Sequence, residues 1–140
     1  MSKFTDWVKE LPLATGSRVI GGATEDSDYD YVCTVEEFEK KFPEYVSKLE
    51  KYVAGDDSFL SIKEKDEEGR IINLIIVKDK QVLDAWVFTT SFLSYNPFAL
   101  IRKLILEKPK VRKLLFEAVK TTMIKLIKEG EISIWENSNL

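Results

Sequence analysis

The chain predicts an α/β (α+β) domain: a small mixed β-sheet, helices on at least one of its faces, and a helical C-terminal half packed beside it. Three observations carry this. The run RIINLIIV at 70–77 is almost continuously β-branched residues and leucine, the composition of a strand covered on both faces. Ser58 to Lys65 precedes it across the polar turn Asp66-Glu67-Glu68-Gly69, which makes a hairpin with a loop of about four residues. From Asp79 onward the apolar residues recur at helical spacing.

The 140 residues suit one domain, 1–140, with 97–129 as a basic helical subregion. A chain of this size can bury about two-thirds of its unfolded surface. Hydrophobic content of 44% with 32% charged residues excludes a disordered chain, and the single Cys33, read as a small buried apolar residue, excludes an internal disulfide. No apolar run approaches the roughly 18 residues of a membrane span, and MSKFTDWVKELPL lacks the apolar centre of a signal peptide. The expected location is the cytoplasm, or the host cytoplasm if the protein is viral. There are no histidines, which removes histidine-based nucleophile activation and the common histidine metal sites.

Taken in order, Phe4, Trp7 and Val8 predict a short N-terminal helix over 3–10, ended by Pro12. Leu13-Ala14-Thr15 reads as a short strand leading into a turn at Gly16, and a helix begins at Ser17. Gly21-Gly22 and ATEDS form a polar loop before a strand at Tyr29 to Cys33. Thr34 and Glu37 match a capping box, followed by Phe38, Phe42, Val46, Leu49 and Val53 on one face and Gly55 as the stop. Pro43 interrupts this pattern, so either the helix kinks there or a short helix is followed by a longer one beginning at Pro43. Asp79 caps a helix carrying Val82, Leu83, Trp86, Val87 and Leu93. Asn96-Pro97 opens a helix through Glu107, and Pro109 opens another that stops at Gly130. The ISIW of the tail could form a short edge strand or fray.

The chemistry is concentrated in GSRVIGGATEDSDYDYV at 16–32. Asp28 and Asp30 are two apart along an extended segment, so both carboxylates leave one face, as a site for a hard cation requires. Magnesium is commonly held by one or two carboxylates together with substrate phosphates. Gly16 permits close backbone approach to such phosphates and Ser17 starts a helix, so this pair is a candidate phosphate cradle, with Ser17 either contacting phosphate or capping its helix. Arg18 is within reach of a triphosphate and equally suits the surface. Tyr29 and Tyr31 fall on the opposite strand face and read as core, Trp86 reads as packing, and Glu25, Asp26 and Glu64 are reserve carboxylates. Asn73, inside the apolar strand, must find partners for two donors and an acceptor.

Gly16-Ser17, ten intervening residues, then Asp28-Tyr29-Asp30-Tyr31 resembles the signature of the DNA polymerase β-like nucleotidyltransferase superfamily, with Thr15 where the family has an apolar residue. Over roughly 12–120, including NLIIV at 73–77 and KPKVRKLLFEAVK at 108–120, the chain resembles the small nucleotidyltransferase-like proteins of bacteriophages. The resemblance implies a sheet of the nucleotidyltransferase type and a metal-dependent transfer of a nucleoside monophosphate from a nucleoside triphosphate onto an unknown acceptor, whether protein, RNA or small molecule. It implies Asp28 and Asp30 as ligands of Mg2+ or Mn2+, Gly16, Ser17 and Arg18 as phosphate ligands, and Asn73 at the position of the family's third catalytic carboxylate. The alternative is a catalytically silent relative that binds nucleotide or a host protein, possibly as a phage effector.

Net charge is −3, but residues 102–128 hold nine Lys/Arg against only Glu107 and Glu117. This basic stretch reads as a solvated helix face, or as a surface that concentrates phosphates. Nucleic-acid binding is the least favoured function because aromatic residues do not interleave with the basic ones. Nothing in the pattern points to a membrane partner, and oligomeric state is open.

Overall fold

The computed structural model describes residues 3–11, 14–95 and 97–132. Helix α1 (Lys3–Val8) leads to strand β1 (Ala14–Thr15), the single turn α2 (Ser17–Ile20), strand β2 (Tyr29–Thr34) and helix α3 (Val35–Lys41). The hairpin β3 (Phe59–Lys65) and β4 (Ile71–Val77) follows, then α4 (Lys80–Ser94), α5 (Ala99–Glu107) and α6 (Pro109–Lys128). The four strands form one mixed sheet in the order β1-β2-β4-β3, with β2 and β4 parallel and both outer pairs antiparallel.

The central position of β4 explains its composition. Its two faces are covered by different layers, so an alternating pattern would have placed polar residues in a core. On one face Ile72, Leu74 and Ile76 join Cys33, Phe4 and Val8 of α1, and Val35 and Phe38 of α3. On the other, Ile75 and Val77 join Val32 and the inner faces of α4 and α6, including Val82, Leu83, Trp86, Met123, Ile124 and Ile127. A third cluster, Ile20, Leu93 and Ile105, fastens α2 to α4 and α5. Tyr29 and Tyr31 pack on the α1/α3 side, as the strand parity predicts.

Several local expectations hold for their stated reasons. Thr34 and Glu37 form the reciprocal capping box of α3. Asp79 accepts from the Val82 N–H at the start of α4. Gly130 ends α6 at φ +75°, where Gly130 and Glu131 donate to the carbonyls of Ile127 and Leu126. The hairpin turn is organised by Asp66, whose carboxylate accepts from the Glu68 and Arg70 N–H groups and pairs with Arg70 and Lys9.

Other expectations fail. No longer helix begins at Pro43: α3 stops at Lys41, and 43–55 contains only two 3₁₀ turns, Pro43–Tyr45 and Glu50–Tyr52. Between them Ser47 is left-handed at φ 66° and its N–H donates to Glu39 Oε2, so the chain bends back on α3 instead of continuing the apolar stripe as a helix. Gly55 therefore lies in a loop and stops no helix. Asn96 lies outside the described residues, as do residues 133–140 with most of the ISIW segment. Helix α5 starts at Ala99, so Pro97 is not its first residue; Phe98 holds the N-cap position without a side-chain hydrogen bond.

Candidate functional site

Asp28 is the last residue before β2, and Asp30 is its second residue. The register sets Asp30 across from Thr15 on β1 and from Asn73 on β4, and Asn73 across from Lys63 on β3. Directly opposed residues share a sheet face, so one transverse row carries Thr15, Asp30, Asn73 and Lys63, with Asp28 two residues to one side of it and Ser61 two residues to the other. This is the face covered by α4 and α6, at the end those helices leave open.

The turn before the row is shaped around Asp30. Gly16 has φ +80° and ψ −170°, a conformation open only to glycine. A Cβ built there would stand 2.0 Å from Asp30 Oδ2, so the carboxylate occupies the space a side chain would fill. Thr15, at the position of the family's apolar residue, is buried without cost because α4 supplies a partner: its hydroxyl lies 2.7 Å from that of Thr90. Thr90 in turn donates to the Trp86 carbonyl, which leaves Thr15 as the donor between the two hydroxyls.

Asn73, 8% exposed, uses both ends of its amide. Its Nδ2 donates to Asp30 Oδ1 at 2.9 Å and its Oδ1 accepts from the Ser61 hydroxyl. An ionised Asp30 only accepts, so the amide must face it with its NH2 group. Lys63 Nζ lies 2.9 Å from Asp28 Oδ2. Burial pushes the Asp30 carboxyl above its ordinary pKa and the Asp28 charge adds to this, while the Asn73 hydrogen bond and Lys63 pull the other way. The hydrogen bond and charge of Asp28 raise the pKa of Lys63.

Beside this row lies a pocket of about 350 Å³ lined by Thr15, Gly16, Ser17 and Asp30 on one side and by Arg112, Lys113 and Glu117 of α6 on the other, with an apolar floor that includes Ile75, Trp86 and Phe116. Gly16, Ser17 and Asp30 are thus brought together in one cavity. Arg18 is directed elsewhere: its guanidinium donates to the carbonyls of Thr24, Glu25 and Ser27 and stacks 3.8 Å above Tyr29. It holds in place the loop that delivers Asp28. Glu25, Asp26 and Glu64 are exposed, and Glu64 pairs across from Ile72, on the wrong face to join the aspartates.

The sequence reading missed Arg112 and Lys113. The signal was the basic C-terminal stretch, but only the tertiary structure sorts its members. Arg102 donates to the carbonyls of Ile20 and Leu93, and Lys128 pairs with Asp79 and Asp56. Lys120 is buried beside Glu117 and lies 4.8 Å from the centre of the Trp86 ring. Arg112 lines the pocket while its Nη1 donates to the Ile105 carbonyl at 2.9 Å, packed against Gly22, where a Cβ would meet the guanidinium at 2.1 Å.

A family model described as a nucleotidyltransferase domain matches residues 5–121. The chain belongs to this nucleotidyltransferase family, of the DNA polymerase β-like superfamily. Comparison with curated proteins and with solved structures gave no match. The mixed sheet and flanking helices agree with a nucleotidyltransferase fold, and nucleotidyl transfer is the general function of such a domain, with a nucleoside triphosphate as its implied substrate. Among the described residues no helix is long and apolar enough to cross a membrane.

Nucleotidyltransferase domains typically use divalent cations. Among the described residues no group of three or more His, Cys, Asp or Glu side chains is placed to hold a metal. Asp28 and Asp30 are two carboxylates on one strand face, the donor type that holds a hard cation together with substrate phosphates, and of the two Asp30 lines the pocket while Asp28 does not. Asn73 turns its Oδ1 to the Ser61 hydroxyl and its Nδ2 to Asp30.

Proposed function

We propose that this nucleotidyltransferase transfers a nucleoside monophosphate from a nucleoside triphosphate to an acceptor at the pocket between β2 and α6, with Asp28 and Asp30 as ligands of Mg2+ or Mn2+. The supporting observation is that the Asp30 carboxylate, seated against the side-chain-free Gly16, opens onto the same cavity as Ser17, Arg112 and Lys113.

In the reaction an acceptor oxygen bonds to the α-phosphorus, the bond from that phosphorus to the bridging oxygen breaks, and pyrophosphate leaves. The bound cation would supply neutralisation of the phosphate charge, as in phosphoryl transfer generally. The chain's own groups supply position and field. Gly16 and Ser17 offer backbone approach and a hydroxyl to the phosphates. Arg112 and Lys113 place positive charge on the opposite wall, where charge on the leaving pyrophosphate develops. Asn73 and Ser61 fix the Asp30 rotamer, and Arg18, through the loop carbonyls, fixes Asp28.

The test is pyrophosphate release from each of the four ribonucleoside triphosphates, with manganese and candidate acceptors, by wild type and by Asp30→Ala. Release by wild type and its loss in Asp30→Ala are expected; equal release from both places the activity elsewhere. A second reading, a silent relative that binds nucleotide without transfer, is favoured by one observation: Asn73 directs its amide NH2, not an oxygen, at Asp30. It requires nucleotide binding that is sensitive to Lys113→Ala while pyrophosphate release stays at background.

A further inference from the structure

The face that carries the aspartates also carries a cation of its own. Lys63 stands across from Asn73, and Asn73 across from Asp30. Within this patch each carboxylate has a separate donor: Lys63 Nζ at 2.9 Å from Asp28 Oδ2, and Asn73 Nδ2 at 2.9 Å from Asp30 Oδ1. The Lys63 side chain is 59% exposed and that of Asp28 25%, so the ion pair sits where solvent ions reach it.

We propose that Lys63 is the built-in counter-ion of the site and competes with the divalent cation for the Asp28 carboxylate, so that metal loads by displacing the ammonium. The inference rests on the reading of Asp28 and Asp30 as metal ligands. The two negative charges repel each other, and a lysine beside Asp28 offsets that repulsion when no metal is bound. Magnesium draws its ligand oxygens to about 2.1 Å and keeps ordered waters around them. An ammonium at 2.9 Å from one of those oxygens occupies part of that hydration space and repels the incoming ion. The long, flexible lysine stem lets the ammonium swing away. Metal affinity is then governed by Lys63 as well as by the two aspartates, and the metal-free domain keeps both carboxylates in place.

The experiment measures Mn2+ binding to the full chain by the electron paramagnetic resonance signal of free Mn2+. Lys63→Met keeps the stem and removes the charge. Taking the pair as an exposed ion pair, its loss should tighten Mn2+ binding about fivefold. Lys63→Arg keeps a cation at Asp28 and should stay near wild type. Removing any nearby positive charge helps a metal through the general field, so Lys63→Met is also made in the Asp28→Asn background. The gain should vanish there if Lys63 acts through Asp28. No gain from Lys63→Met, or the same gain in both backgrounds, overturns the competition. Failure of the underlying reading looks different: Mn2+ binding unchanged by Asp30→Ala, or absent from every variant, removes the metal site itself and the competition with it. Urea unfolding of each variant confirms that it is folded.

Discussion

Replacing Asn73 by aspartate tests the central contact of the site. In the wild type Asn73 Nδ2 donates to Asp30 Oδ1 at 2.9 Å, and a hydrogen bond to a charged acceptor contributes about 1.5–3 kcal/mol. Asn73→Asp removes that donor and sets a second carboxylate against the first. Two like charges at ~4 Å repel by about 4 kcal/mol at the effective dielectric of a site near the surface. The repulsion is not felt in full, because the pair can share a proton and Lys63 lies nearby. The expected destabilisation is about 3 kcal/mol at about pH 8 without metal, a fall in Tm on the order of 10 °C for a domain of this size. The sign of the pH dependence follows from the shared proton. The folded-state pKa of the pair is raised, so the penalty is present above that pKa and is relieved as pH falls through it, leaving at most about 1 kcal/mol at about pH 5. Millimolar magnesium should recover stability at the higher pH by binding the folded state, and metal affinity should exceed that of the wild type. Thermal and urea unfolding at the two pH values, with and without magnesium, measures all of this. Wild-type stability of Asn73→Asp at about pH 8 without metal, or a loss equal at both pH values, would refute the reasoning.

Gly16→Ala should lose about 2–3 kcal/mol by denaturant midpoint, through positive-φ strain and a Cβ 2.0 Å from Asp30 Oδ2; an unchanged midpoint would contradict the described turn. Asp66 is buried, which raises its pKa, yet the Arg70 N–H, Lys9, the Arg70 side chain and the Glu68 N–H together hold it well below the usual carboxylate range. Its contribution is therefore present above the ordinary carboxylate pKa and lost as pH falls below about 4, so Asp66→Asn should be less stable at neutral pH with a flatter acid limb. Lys120, 1% exposed, is bonded to Glu117 at 2.9 Å and sits over Trp86. Lys120→Met should be neutral or stabilising by urea unfolding, whereas Glu117→Ala, which strips a partner from a buried charge, should destabilise; the reverse order would refute this account.

The sequence by itself determined what short-range chemistry controls. Capping residues placed the starts of α3 and α4, the doubly covered composition of RIINLIIV placed the central strand, and the spacing of Gly16, Asp28 and Asp30 put a turn and two carboxylates within reach of one another. These features are local, because a cap or a strand parity needs only a few neighbouring residues. The same local rules misread 43–55, where the Ser47 N–H donates to the Glu39 carboxylate and the chain leaves the helical path that the apolar periodicity suggests. The partners that complete the site come from far along the chain and were decided only by tertiary structure. Asn73 meets Asp30 because β2 and β4 pair in parallel, Lys63 joins them through the register of β3, and Arg112 and Lys113 face Gly16 because α6 crosses the same sheet face. A basic helix in sequence is only a charge excess. Which of its charges cap carbonyls, fill the core or line a pocket depends on the packing of α6 against the sheet and α5, a sum of contacts that no local pattern encodes.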